Sequence, residues 1–79
     1  MAKKWFVAQI KPNSTDIAIQ NLARQGFYPY LPKMITTIKK INKFFYKEVP
    51  VFPGYVFVGV EAHSSEWIKI KSTYGVLKI

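Results

Sequence analysis

The chain has 79 residues, no cysteine and one histidine, which excludes a disulfide-stapled fold and a thiolate metal centre and leaves His63 unable to build a structural zinc site alone. Twelve Lys and Arg against four Asp and Glu give a formal charge of +8, which favours a polyanionic neighbour. A chain this short buries only about 60% of its unfolded surface, so one domain is the limit and its core must come from the 49% apolar content.

No stretch is long and apolar enough to cross a membrane as a helix. Nor does a targeting segment open the chain. Met1-Ala2-Lys3-Lys4 is basic, but only six residues separate it from Lys11, and Gln9 is among them. The expected location is the cytoplasm.

Trp5 to Ile10 reads as a buried strand, rich in aromatic and β-branched residues, and Lys11-Pro12 ends it. Asn13 or Ser14 then caps a helix that runs to Gln25. Asp16 follows Asn13 at nearly capping-box spacing and suits the first turn. Ile17 or Ala18, with Leu22 and Ala23, supplies the inward face, and Gly26 stops the helix. Phe27 to Leu31 resumes an extended path, with Pro29 and Pro32 pointing to an edge strand.

Met34 to Ile41 and Phe44 to Pro50 form a hairpin arm around a turn at Lys39 to Lys43. Its tip is basic through Lys39, Lys40, Lys43 and Lys47. Eleven of the twelve cations are lysines, flexible point charges that suit phosphate proximity better than reading of base edges. Phe52 to Val60 is the clearest central strand, with Pro53 and Gly54 at its entrance. Its near-continuous apolar run is that of a strand covered on both faces. Ser64 or Ser65 caps a second short helix, with Glu66 in its first turn and Trp67, Ile68 and Ile70 on its packing side. Tyr74-Gly75 turns the chain into a last strand, Val76 to Ile79. The expectation is a single α/β (α+β) domain over residues 1–79: a mostly antiparallel sheet with packed helices, in the order β-α-β, hairpin, β-α-β.

Catalysis needs a positioned acid, base, nucleophile or metal. Asp16, Glu48, Glu61, Glu66 and His63 are the candidates. Asp16 and Glu66 serve helix starts, and Glu48 faces water in the arm. His63 beside Ser64 and Ser65 lacks a carboxylate to orient it. The glycines are scattered and build no phosphate loop. An enzyme is therefore not expected, nor a cofactor, a metal or a small-molecule substrate.

Four stretches together resemble the NGN domain of NusG-type transcription factors. They are Lys4-Trp5-Phe6-Val7-Ala8, Gln25-Gly26-Phe27 through Tyr30-Leu31-Pro32, Val49-Pro50-Val51-Phe52-Pro53-Gly54-Tyr55-Val56-Phe57-Val58, and Thr73-Tyr74-Gly75-Val76. The likeness is closest to the specialised antitermination paralogues, the RfaH-like and UpxY-like proteins. Ile79 is an apolar end, and the resemblance implies an NGN domain truncated at its C-terminal end, with the usual carboxy-terminal KOW domain absent from this chain.

The resemblance implies a factor that binds RNA polymerase, bridging the β′ clamp helices and the β gate loop to suppress pausing, and that contacts the non-template DNA strand. Phe52, Pro53, Tyr55 and Phe57 match the clamp-helix patch. Gln9 stands where the RfaH-like protein has a tyrosine in that patch, and Leu31, Pro32 and Ile35 border it. Ser64, Ser65 and Trp67 occupy the gate-loop region. Lys11, Asn21, Arg24 and Tyr74 match the DNA-facing side, to which the arm lysines Lys39, Lys40 and Lys43 add.

Strand alternation puts Phe52 on one side with Val56 and Val58, and Tyr55 and Phe57 on the other. Val56 and Val58 read as core, and Phe52 and Tyr55 as interface. Trp5 reads as core rather than as a platform for DNA, and Trp67 fits helix packing and contact equally. The alternative function is a stand-alone single-stranded nucleic-acid-binding module using the lysine arm and exposed aromatics.

Overall fold

A computed structural model describes residues 2–79. Strand β1 (Lys3–Ile10) alternates, so Phe6, Ala8 and Ile10 turn inward while Trp5, Val7 and Gln9 face the other way. Helix α1 (Thr15–Arg24) follows, then β2 (Tyr28–Tyr30), β3 (Lys33–Lys40), β4 (Lys43–Pro50) and β5 (Tyr55–Glu61). A short 3₁₀ helix (Glu66–Ile70) leads to β6 (Val76–Lys78). Four strands make one antiparallel sheet in the order β2-β5-β1-β6, with β5 and β1 in the centre. The arm, β3 and β4, is a separate two-stranded ribbon.

The core lies between one face of the sheet and the helical layer. Val56, Val58 and Val60 of β5 meet Ala8 and Ile10 of β1, Ala18 and Leu22 of α1, and Ile70 of the 3₁₀ helix. The α-β-hairpin order matches the expected one. Polar links tie the layer together: Gln25 Nε2 donates to Thr73 Oγ1 at 2.8 Å, and that hydroxyl donates to the Lys69 carbonyl at 2.9 Å. Thr73 is thereby satisfied although buried.

Several local expectations are corrected. Helix α1 buries Ala18 and Leu22, whereas Ile17 and Ala23 face out. Ser14 caps α1 by position, yet no side-chain cap bond forms, because its backbone (φ −118°, ψ 13°) is not in the extended conformation that aims an N-cap oxygen at the first-turn N–H groups; its hydroxyl donates to the Pro12 carbonyl. The Asn13–Asp16 capping box is therefore not made. The second helix is a single stretch of 3₁₀, whose three-residue period sends Ile70 inward and leaves Ile68 exposed.

The central strand begins at Tyr55, not Phe52. Phe52 to Tyr55 is a turn in which the Tyr55 N–H donates to the Phe52 carbonyl at 3.1 Å. Pro53 fixes its second position, and Gly54 takes the positive φ of +85° that its third position requires. Alternation cannot run through such a turn. Phe52 consequently sits with Phe57, its ring edge-on at 5.9 Å, and not with Val56 and Val58. Nor is β5 covered on both faces: its outer residues, Tyr55 and Phe57, meet no second layer.

Gly75 is the tightest joint between sheet and helix. Its φ is +95°, and a Cβ there would stand 2.9 Å from the Ala18 Cβ and 3.1 Å from the Ser14 carbonyl oxygen. Its own carbonyl accepts from the Lys11 N–H at 2.9 Å. Gly75→Ala is expected to destabilise the domain by about 2 kcal/mol or more, from left-handed strain plus the clash. A urea melt followed by circular dichroism checks this; a midpoint equal to that of the unaltered chain would show that the joint has slack.

Candidate binding surfaces

Among the described residues, one helix and one turn of 3₁₀ cover one side of the sheet, and nothing covers the other. The register fixes what stands on it. Trp5 lies opposite Gly59, Val7 opposite Phe57 and Gln9 opposite Tyr55, while Tyr28 and Tyr30 flank Gly59 and Phe57 from the edge. The Trp5 ring fills the space over Gly59, where a Cβ would come within 3.0 Å of it. Tyr30, Phe57 and Phe52 form a row of tilted and edge-on rings, with centroids 6.5 and 5.9 Å apart. Lys3 caps one corner, its Nζ 4.3 Å from the Tyr28 ring centre, and the Tyr28 hydroxyl donates to Glu61 Oε1 at 3.3 Å. The result is an apolar centre with a polar corner.

Of the polymerase-binding residues expected from sequence, Tyr55, Phe57 and Gln9 share this face, and Phe52 joins it from the turn beside Pro53. Leu31 does not, because it packs against the core cluster. Pro32 sits at the base of the arm, where its carbonyl accepts from the Val51 N–H at 2.9 Å, and Ile35 is exposed on the arm itself. Trp5 was expected in the core and is 54% exposed on the bare face. Val7, Tyr28 and Tyr30 were missed altogether. The signal was available: Gln9, Val7 and Trp5 are two apart, and a period of two puts them on one side.

The expected gate-loop residues lie elsewhere, at the start of the 3₁₀ helix. Ser64 Oγ accepts from the Glu66 N–H at 3.0 Å, so it caps the turn, and Ser65 is exposed beside it. Trp67 stacks on Phe6, with centroids 5.6 Å apart and planes 12° off parallel. Glu66 is held by Lys69 at 2.7 Å.

Asn21 and Arg24 stand on α1, Lys11 directly follows β1, and Tyr74 lies in the turn before β6. Lys11 is tied beside Tyr74 through Gly75, and Asn21 Oδ1 accepts from Arg24 Nη1 at 3.3 Å. Tyr74 is exposed next to the Gln25–Thr73 link at the end of α1. The arm lysines form a third site. Lys40 pairs with Lys43 across the tip, and Lys39 stands 6.0 Å over the Phe44 ring. Among the described residues, no group of three or more His, Cys, Asp or Glu could hold a metal ion.

A small domain that leaves an aromatic sheet face open, with separate basic surfaces, is a binding domain. The comparisons with known proteins give the family. Residues 3–79 match the family model described as transcription termination factor NusG, and the chain belongs to that family. No curated protein matches it. The chain is thus a non-catalytic NGN domain acting in transcription elongation and antitermination, in a family whose members bind RNA polymerase.

The Trp67 stack predicts how the gate-loop group divides. Trp67→Ala is expected to cost about 1 to 2 kcal/mol, from the loss of the aromatic pair and its buried area. Ser65→Ala, at an exposed position, is expected to stay within about 0.5 kcal/mol. Paired urea melts decide it; equal midpoints for the two variants would remove any structural role from Trp67.

Proposed function

We propose that the bare sheet face, centred on Phe52, Tyr55 and Phe57, docks onto the β′ clamp helices of RNA polymerase. Gln9 and Pro53 border that contact. The start of the 3₁₀ helix, through Ser64, Ser65 and Trp67, meets the β gate loop across the cleft. Holding both elements keeps the clamp closed and suppresses pausing. Lys11, Asn21, Arg24 and Tyr74 approach the non-template DNA strand, and the arm lysines Lys39, Lys40 and Lys43 contact DNA beside it. The setting is cytoplasmic.

The observation that carries this reading is the face itself. A family member that binds polymerase leaves Trp5, Phe52, Tyr55 and Tyr30 each at least 43% exposed on one side of its sheet. Such a patch marks an interaction surface, and its aromatics are of the type that dominate binding energy. Phe52 is the best anchor, because it stands on a turn and makes no core contact that its removal would collapse. Gln9 places an amide beside Tyr55 where a ring would add apolar area, so Gln9 is a border residue.

A single-stranded nucleic acid stacking on the same aromatics is the second reading, favoured by the +8 charge. One pair of measurements separates them. Phe52→Ala, confirmed folded by circular dichroism, is expected to lose about tenfold or more in affinity for a β′ clamp-helix fragment, as aromatic hot spots do. The unaltered chain is expected to bind naked single strands weakly at physiological salt. Undiminished clamp-helix binding by the variant sinks the assignment of Phe52, and tight, steeply salt-dependent binding of single strands supports the second reading instead.

A further inference from the structure

The arm carries features that neither the sheet nor the polymerase contact requires. Its tip is Ile41-Asn42, and both residues have positive φ, +41° and +65°. Two-residue hairpin turns of this kind favour Asn-Gly or Asp-Gly. Isoleucine, being β-branched, is strained there. Ile41 is also 95% exposed, so among the described residues no packing compensates. Beside it, Lys40 and Lys43 stand directly opposite each other, a like-charge pair that opposes the hairpin. Two unfavourable choices thus meet at one point, at the end of a two-stranded ribbon separate from the main sheet, in a molecule of 53 × 26 × 18 Å. The arm bears five lysines and one glutamate.

We propose that the arm is a duplex-DNA ribbon, with lysines gripping the phosphates on either side of the minor groove and Ile41 wedged into a base step at its tip. Charge complementarity selects a polyanion over a protein partner. The tip selects a duplex over a single strand. An exposed aliphatic side chain flanked by cations is the tool that minor-groove architectural proteins use to part stacked base pairs and bend the helix. A single strand has no closed stack to part, and it would favour aromatic platforms over an aliphatic point. The proposal deepens the nucleic-acid part of the reading above and rests on it, since Lys39, Lys40 and Lys43 are assigned there to DNA. It adds the form of the DNA, the groove and the wedge.

The test uses the chain without polymerase and a duplex with a central TpA step and a dye at each end. The unaltered chain is expected to bind and to shorten the dye separation. Lys40→Ala combined with Lys43→Ala is expected to weaken binding and to lower the slope of log affinity against log salt by about 2, near 0.9 for each phosphate no longer neutralised. Ile41→Asn keeps the lysines and suits a positive φ, so its melting temperature is expected to hold or rise. It is expected to retain the salt slope, lose the bend, and lose the preference for a flexible TpA step over a stiff A-tract. Bending by Ile41→Asn equal to that of the unaltered chain overturns the wedge, and so does a fall in its melting temperature, which would show an internal role. An unchanged salt slope in the double lysine variant overturns the grip. Tighter binding of the single strand than of the duplex overturns the choice of DNA form. Phe52→Ala is expected to bend the duplex normally, so failure of the polymerase contact and failure of this proposal are told apart.

Discussion

One helical layer covers one face of a four-stranded sheet, and most of the molecule follows from that limit. Side chains alternate across a strand, so the inward set of Val56, Val58 and Val60 fixes Tyr55, Phe57 and Gly59 on the opposite side. A second layer would make that side a core as well. Here it stays open, and its residues remain aromatic where a solvated face would be polar. The chain meets water with the composition of an interior. The pairing of β1 with β5 therefore sets both the core and the open aromatic face, since a one-residue slip would exchange them.

The arm obeys the opposite logic. A two-stranded ribbon alone is marginal in water, and neither face of this one is covered by another element. It is anchored at its root, where the Val51 N–H reaches the Pro32 carbonyl and where Val49 and Pro50 are half-buried. Beyond the root, Thr37 with Tyr46 and Ile38 with Phe45 pair across the strands and supply the local contacts that hold register. The positive charge rises toward the tip, where no apolar packing offsets the repulsion between Lys40 and Lys43. The open sheet face and the arm are thus separate features: one is apolar and belongs to the sheet, the other is cationic and stands apart from it.

Much of this was legible in the sequence, and the failures have physical causes. Element order and the arm followed from turn residues and β-branched runs. The family likeness rested on the string from Val49 to Val58 and agrees with the family match. Phe52 falls on the wrong side when parity is counted through Pro53-Gly54, where a turn resets it. Trp5 reads as core because large aromatics bury well, yet its parity with Gln9 already places the two together. Ile17 lost to Ala18 because Gly75 approaches α1 so closely that only a small side chain fits beneath it. That approach depends on a partner distant in sequence, which no local pattern reports. Trp67 was undecided because its stacking partner, Phe6, lies on the first strand.

The bare face also bears on stability. A domain of this size buries too little surface to be strongly stable alone, and here part of its aromatic content is only about half buried. Trp5, Tyr30 and Phe52 are held in place by neighbours, not by burial. A partner that covered them and bound only the folded form would raise its stability by mass action. Replacing these rings with polar residues would then solubilise the free domain while removing the surface that a partner completes. The geometry of β1 and β5 already holds these rings in register on one side of the sheet, so whatever covers that side meets a preformed surface.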